Sequence, residues 1–88
     1  MIVRLHRSFE KKFKKLRVGE RERCRERITL FAENPFHPLL DNHPLKGDRK
    51  GEWAIHIGGD LSAIYELDQD DTVALFTDVD THHNLYGS

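Results

Sequence analysis

Phe9, Phe13 and Leu16 recur at i, i+4 and i+7, with Lys11, Lys12, Lys14 and Lys15 on the remaining sides. That spacing gathers apolar side chains on one face of a helix, and Ser8 is placed as its N-cap. Gly19 reads as an interruption. From about Glu20 the period resumes with Cys24, Ile28 and Phe31, until Asn34-Pro35 stops the second helix. Glu and Arg alternate between Glu20 and Arg27. They predict i,i+3 pairs such as Glu20–Arg23 and Glu22–Arg25, each contributing about 0.2–0.5 kcal/mol. Two amphipathic helices joined by a tight turn form a hairpin. Ahead of them, Ile2 to Leu5 is β-prone and predicts a short first strand.

The period changes after Pro35, Pro38 and Pro44, which predict an irregular connection running to Gly47. Glu52 to Ile57 alternates, with Trp53, Ile55 and Ile57 on one face and Ala54 and His56 on the other. Gly58-Gly59-Asp60 predicts a hairpin turn. Leu61 to Leu67 follows, with Leu61, Ala63, Tyr65 and Leu67 on one face. Asp68 to Asp71 is a polar turn, Thr72 to Val79 a third strand, and Asn84 to Gly87 has room for one turn. The pattern predicts an α+β fold: two N-terminal helices packed on one face of a small, mostly antiparallel sheet, in one domain spanning 1–88. The first strand has to join that sheet, at its edge or centre, over a long sequence separation.

Composition narrows the class without naming a function. Hydrophobic residues make up 38% of the 88 and charged residues 33%, a globular balance rather than a disordered one. No apolar run approaches the ~20 residues of a membrane span, and no segment resembles a secretory signal. Cys24 is the single cysteine, which leaves no disulfide framework and points to the cytoplasm. The net charge of -1 conceals an asymmetry. All 14 Lys and Arg lie at or before Lys50 among seven acids, a net of +7; the eight acids from Gly51 onward meet no Lys or Arg. Such a chain can offer a basic face to a polyanion, although charged helices are more often simply solvated.

Candidate chemistry gathers in the second half. His43, His56, Asp60, Thr81, His82 and Tyr86 are scattered in sequence. A meander brings the end of the first hairpin strand, the start of the second and the end of the third together, so His56, Asp60 and His82 converge. His43 precedes them by a looser link. Each has a plain alternative. A lone His is usually a surface or packing residue, as His6 and His37 are read. Asp60 after two glycines suits a turn, Tyr86 can cover a sheet edge, and Thr81 can cap the last turn.

Three readings remain open on the residues alone. Paired imidazoles suit RNA cleavage by transesterification, where a base takes the ribose 2′-OH proton and an acid protonates the leaving 5′-oxygen. Lys46, Arg49 and Lys50 would hold phosphate, and Trp53 or Tyr86 would stack a base. His43, His56, His82 and Asp60 are also zinc donors by type, although their spacing is unlike a compact metal motif. The third reading is a binding module with no chemistry.

The ordered set His43-Pro44-Leu45-Lys46-Gly47, His56, Asp60, Ile64-Tyr65, Thr81-His82 and Leu85-Tyr86 resembles the RelE/ParE superfamily of bacterial toxins, in particular its YafQ-like ribonuclease branch. The resemblance implies a cytoplasmic toxin of a type II toxin–antitoxin pair that cleaves mRNA on the ribosome without a metal or other cofactor and is neutralised by a protein antitoxin. It places the catalytic set on His43, His56, Asp60 and His82 and the C-terminal aromatic on Tyr86. It suggests His82 as general acid, His56 or His43 as base or charge stabiliser, and Asp60 as the carboxylate that orients an imidazole. Two departures stand out: Leu61 where that branch has Trp, and Asp78-Val79-Asp80 where Arg and Gly are common. Carboxylates there would repel phosphate. They motivate the alternative of a catalytically weak or inactive module that captures an antitoxin or acts on another target such as DNA gyrase.

Overall fold

A computed structural model describes residues 1–87; Ser88, the last residue of the expected domain span, lies outside them. Strand β1 (Ile2–Leu5) leads into helices α1 (Arg7–Lys14) and α2 (Val18–Glu33). Strands β2 (His43–Pro44), β3 (Glu52–Gly58), β4 (Leu61–Leu67) and β5 (Val73–Thr81) follow, and a short helix α3 (His82–Tyr86) closes the described chain. The five strands form one sheet in the order β1-β5-β4-β3-β2. Every pairing is antiparallel except β1 with β5, which is parallel. The first strand therefore joins at an edge. The helical hairpin carries the chain across the sheet to β2 at the opposite edge, and the antiparallel run from β2 to β5 comes back to lie parallel beside β1, the long connection that parallel neighbours need.

Both helices cover the same sheet face. Phe9 of α1 and Cys24 and Phe31 of α2 pack on Ile55, Ile57, Leu61, Ala63, Tyr65, Ala74, Phe76 and Val79. Four aromatic rings form the centre: Phe31 lies 4.8 Å from Tyr65 and 5.3 Å from Phe76, and Phe9 lies 5.9 Å from Phe76. Burial pushes the Tyr65 phenol up to about 12 and the Cys24 thiol up to about 11. The Tyr65 hydroxyl donates to Asn42 Oδ1 at 2.8 Å, which satisfies the one polar atom of that ring.

Several local expectations change. Ser8 is not the N-cap; the His6 imidazole takes that place, accepting the Ser8 N–H at 3.0 Å. His37 likewise accepts the Leu39 N–H at 3.1 Å to start a short 3-10 turn. Gly19 does not interrupt: α2 begins at Val18, because Glu20 reaches back to cap the Arg17 N–H at 2.9 Å. That contact uses the acid expected to pair with Arg23. Among the described residues neither Glu20–Arg23 nor Glu22–Arg25 forms an ion pair. Arg25 instead lies 5.1 Å over the Phe13 ring, and Arg27 bonds the Leu39 carbonyl. Arg23 packs against Gly58 so closely that a Cβ there would meet its Cδ at 2.2 Å. With φ at +143° as well, Gly58 has to be glycine.

Pairing also extends further than the alternation suggests. His43 and Pro44, expected in irregular chain, pair with Ala54 and Trp53. The last strand runs two residues past Val79 to Thr81, so Asp78 and Asp80 pair with Ile64 and Ser62. Trp53 points into the helix-covered side, where it stacks 6.2 Å from Tyr65 and meets Phe36. It is not placed to stack a base beside the histidines. Among the described residues no helix is long and apolar enough to cross a membrane.

Candidate active site

Among the described residues the second sheet face carries no long helix. Two rows of paired residues cross it: His43, Ala54, Ile64 and Asp78 in one, and His56, Ser62 and Asp80 in the next. Residues opposite one another in a ladder share a face, so register alone sets His43 and His56 on the same side. A small apolar patch of Ala54, Ile64 and Leu85 supports them, with Leu45 and Tyr86 packed against it. Leu85 is only 6% exposed, and it pins α3 flat on this face. Five residues do not hold a helix in water by themselves, so tertiary contacts fix α3 in place.

Those contacts come from every side. Thr81 caps the helix by accepting the Asn84 N–H at 3.2 Å. The His82 N–H donates to the Asp60 carbonyl at 2.9 Å, tying α3 to the β3–β4 turn. Arg49 donates to the Leu85 carbonyl and to Glu52, each at 3.2 Å. Its guanidinium lies 5.9 Å from the Tyr86 ring centroid, a cation–π distance. Tyr86 in turn packs against His82, with ring centroids 4.5 Å apart. Burial pushes the Tyr86 phenol above its ordinary value, with the Arg49 charge opposing.

The result is an open hollow of about 530 Å³ lined by Asp41, His43, Leu45, His56, Ser62, His82 and Tyr86. Three of the four expected histidine and aspartate residues meet there. Asp60 stands outside the lining, exposed at the turn, and touches His82 through its carbonyl. Lys46 and Arg49 line an adjoining hollow of about 300 Å³ that shares Leu45 and Tyr86. Lys50 is exposed and lines neither. Among the described residues no three His, Cys, Asp or Glu side chains are grouped to hold a metal ion.

Hydrogen bonding fixes one imidazole. His43 Nδ1 lies 2.6 Å from the Asp41 carbonyl oxygen. A carbonyl only accepts, so Nδ1 carries the proton and the neutral ring keeps its lone pair on Nε2. Asp41 adopts a left-handed φ of +45° to turn its carbonyl this way, a conformation aspartate tolerates better than most residues. Asp41 and Ser62 belong to the site although no motif in the sequence marks them, and Leu45 joins them from the run that begins at His43. Ser62 was within reach, since hairpin register sets it opposite His56.

The acids of β5 sit differently from what their sequence position suggests. Lys12 of α1 reaches Asp78 at 2.8 Å and Asp80 at 3.2 Å. The Asp78 hydrogen bond is the largest influence holding the Lys12 ammonium above its ordinary value, outweighing burial. Burial by itself pushes the Asp80 carboxyl up. Hydrogen bonds from Asn84, the Thr81 N–H and Lys12, with the Lys12 charge, overcome it and hold Asp80 below the usual carboxylate range.

Known proteins share this architecture. No curated protein sequence matches the chain. Among solved structures, YafQ from E. coli BL21(DE3) is 24% identical, with a TM-score of 0.76 and 97% of each chain covered. A copper-bound mutant toxin from Helicobacter pylori is 27% identical, with a TM-score of 0.77, covering 98% of this chain and 99% of that one. An archaeal RelE–RelB complex from Pyrococcus horikoshii OT3 is 20% identical at a TM-score of 0.73, with 91% of this chain and 92% of that one covered. The family model for the bacterial toxin of type II toxin–antitoxin system, YafQ, matches residues 1–87. With that match over nearly its whole length, the chain belongs to the YafQ family of type II toxin–antitoxin toxins, within the RelE-like fold.

Proposed function

We propose that this toxin is a ribosome-dependent endoribonuclease that cleaves mRNA by metal-independent proton transfer. The observation that carries the reading is the convergence of three imidazoles and a phenol ring on one open hollow, next to Lys46 and Arg49. A ribose 2′-OH attacks the adjacent phosphate only as its proton leaves, and the departing 5′-oxygen needs a proton in return. Imidazole serves both steps near neutral pH. His43 fits the base, because its Nδ1–H is committed to Asp41 and Nε2 is left to accept. His82 fits the acid, held against Tyr86 at the start of α3. His56 lies on the rigid strand between them and stabilises the phosphorane charge.

Arg49 and Lys46 hold the phosphate, Lys50 attracts the flanking backbone, and Tyr86 offers a ring face to a base. Asp60 serves His82 from the turn. The bond broken is P–O5′ and the bond formed is P–O2′, leaving a 2′,3′-cyclic phosphate and a 5′-hydroxyl. The site of action is then the cytoplasm, where ribosome and mRNA meet. A cognate protein antitoxin is the partner, in keeping with the family and with the RelE–RelB complex of the archaeal relative.

Induced expression with mapping of mRNA ends tests the reading. New 5′-hydroxyl ends within translated codons are expected from the native chain and none from His82→Ala. Growth arrest with intact mRNA, or equal cleavage by both proteins, overturns it.

A further inference from the structure

Strand β5 outruns its neighbour. β1 pairs only with Val73 to Phe76, so the stretch from Thr77 to Thr81 has no strand on that side. Helix α1 stands there instead. Ser8 donates its hydroxyl to the Thr77 carbonyl at 2.6 Å, and one turn further on Lys12 reaches round the edge to Asp78 and Asp80. Asp80 then passes the connection on. Its Oδ2 accepts from Lys12, while its Oδ1 accepts the Thr81 N–H at 2.7 Å and the Asn84 side-chain amide at 2.9 Å. Thr81 and Asn84 bracket His82. The carboxylate thus binds both flanks of the first turn of α3 and anchors them to α1.

Charge makes the same three residues a unit. Asp78 and Asp80 stand in the two rows that carry His43 and His56. Two unpaired carboxylates there would oppose an incoming phosphate. Lys12 is the one cation paired with either acid among the described residues.

We propose that Asp80 is a positioning residue for His82 and that Lys12 neutralises the Asp78–Asp80 pair, so that a face written with acids still admits RNA phosphate. The proposal rests on the ribonuclease reading for its kinetic part only. Its positioning part is read without any activity.

The two roles separate in the measurements. Asp80→Ala removes the acceptor of both α3 contacts. Amide exchange of Asn84 and Gly87 is expected to speed up about tenfold or more, while the amides of β4 stay protected. In kinetics with the ribosome, kcat falls more than KM changes. Asp80→Asn keeps Oδ1 as an acceptor and restores protection and kcat. Lys12→Met leaves α3 protected but raises KM several-fold in low salt. Adding Asp78→Asn and Asp80→Asn to Lys12→Met returns KM to the native value. Unchanged exchange at Asn84 and Gly87 in Asp80→Ala, with β4 intact, overturns the positioning role; loss of β4 protection as well assigns Asp80 to general stability and overturns it too. A KM that ignores Lys12→Met, or is not rescued by neutralising the acids, overturns the electrostatic role. If the native chain leaves mRNA intact, the ribonuclease reading fails and the exchange data still decide the positioning role.

Discussion

The two faces of the sheet are built on different terms. The helix-covered face buries four aromatic rings and the aliphatic residues of β3, β4 and β5 against α1 and α2. The opposite face rests on Ala54, Ile64 and Leu85 and leaves His43 and His82 exposed. Burial of apolar area supplies most folding free energy, so the first face holds the protein together. Imidazoles that must meet a substrate need access to solvent, so the second face can carry chemistry with little core of its own. Short hydrogen-bonded contacts from Thr81, Asp60, Arg49 and Asp80 replace apolar packing there. The contrast teaches that the same strands serve two tasks by alternation: Ile55 and Ile57 point one way, and His56 between them the other.

Substitutions on each face should separate these tasks. The largest effect is expected from His82→Ala, which should lower the rate of mRNA cleavage by ~10²–10⁴ and shift urea-unfolding stability by no more than ~0.5 kcal/mol. A stability loss comparable to a core truncation would break the division between faces. Phe31→Ala is its mirror. It removes a fully buried ring in contact with Tyr65 and Phe76 and should cost ~3–5 kcal/mol, measured by the same unfolding curves. Leu85→Ala tests where the faces meet. Its apolar patch is small, so a loss of about 2 kcal/mol is expected, together with most of the cleavage activity, because α3 carries His82 and Tyr86.

Solution pH gives a smaller and graded effect. Tyr65 and Cys24 have folded values raised to about 12 and about 11, and both stand on the covered face. The unfolded chain ionises them first, so their contribution is complete below their ordinary values and is lost as pH rises through the folded ones. Stability should therefore fall from about pH 9 upward. Asp80 acts with the opposite sign. Its lowered carboxyl stabilises the folded state above the ordinary carboxylate value and ceases to do so as acid protonates it. Unfolding midpoints across pH should show the acid-side loss diminished in Asp80→Asn and the alkaline loss unchanged. Smallest of all, Tyr86→Phe keeps the ring in contact with His82 and Arg49 and should change cleavage by no more than about threefold, within the range of a single neutral hydrogen bond.

Much of the covered face was legible in residue order. The period of Phe9, Phe13 and Leu16, and of Cys24, Ile28 and Phe31, identifies the helix faces. Alternation along β3 and β4 assigns every core side chain there. The same alternation already placed Trp53 with Ile55, against its use as a base-stacking ring. Local capping was less readable: His6 caps α1 in place of Ser8, and Glu20 caps the start of α2 ahead of the expected break at Gly19. Those choices turn on a hydrogen bond of one side chain to a backbone amide, which leaves no periodic trace.

The open face divides in a similar way. Hairpin connectivity brings His56, Asp60 and the start of α3 to one end of the sheet, and the ordered motif set by itself resembles the YafQ family. The position of His43 could not be read. Two residues, one of them proline, make a strand only because β3 offers an unpaired edge. The acids at positions 78 and 80 were misleading for the same reason. Sequence placed them beside the histidines as bare charge, since the cation that pairs with them lies 66 and 68 residues away, at Lys12. Periodicity and turn chemistry act between near neighbours, and so the chain by itself determined its helices and its strand faces, while its ordered motif set carried the resemblance to its family. Contacts between residues far apart in the chain exist only once the sheet has closed, and the tertiary structure alone decided that His43 meets His56 and His82, what holds α3, and which charges cancel.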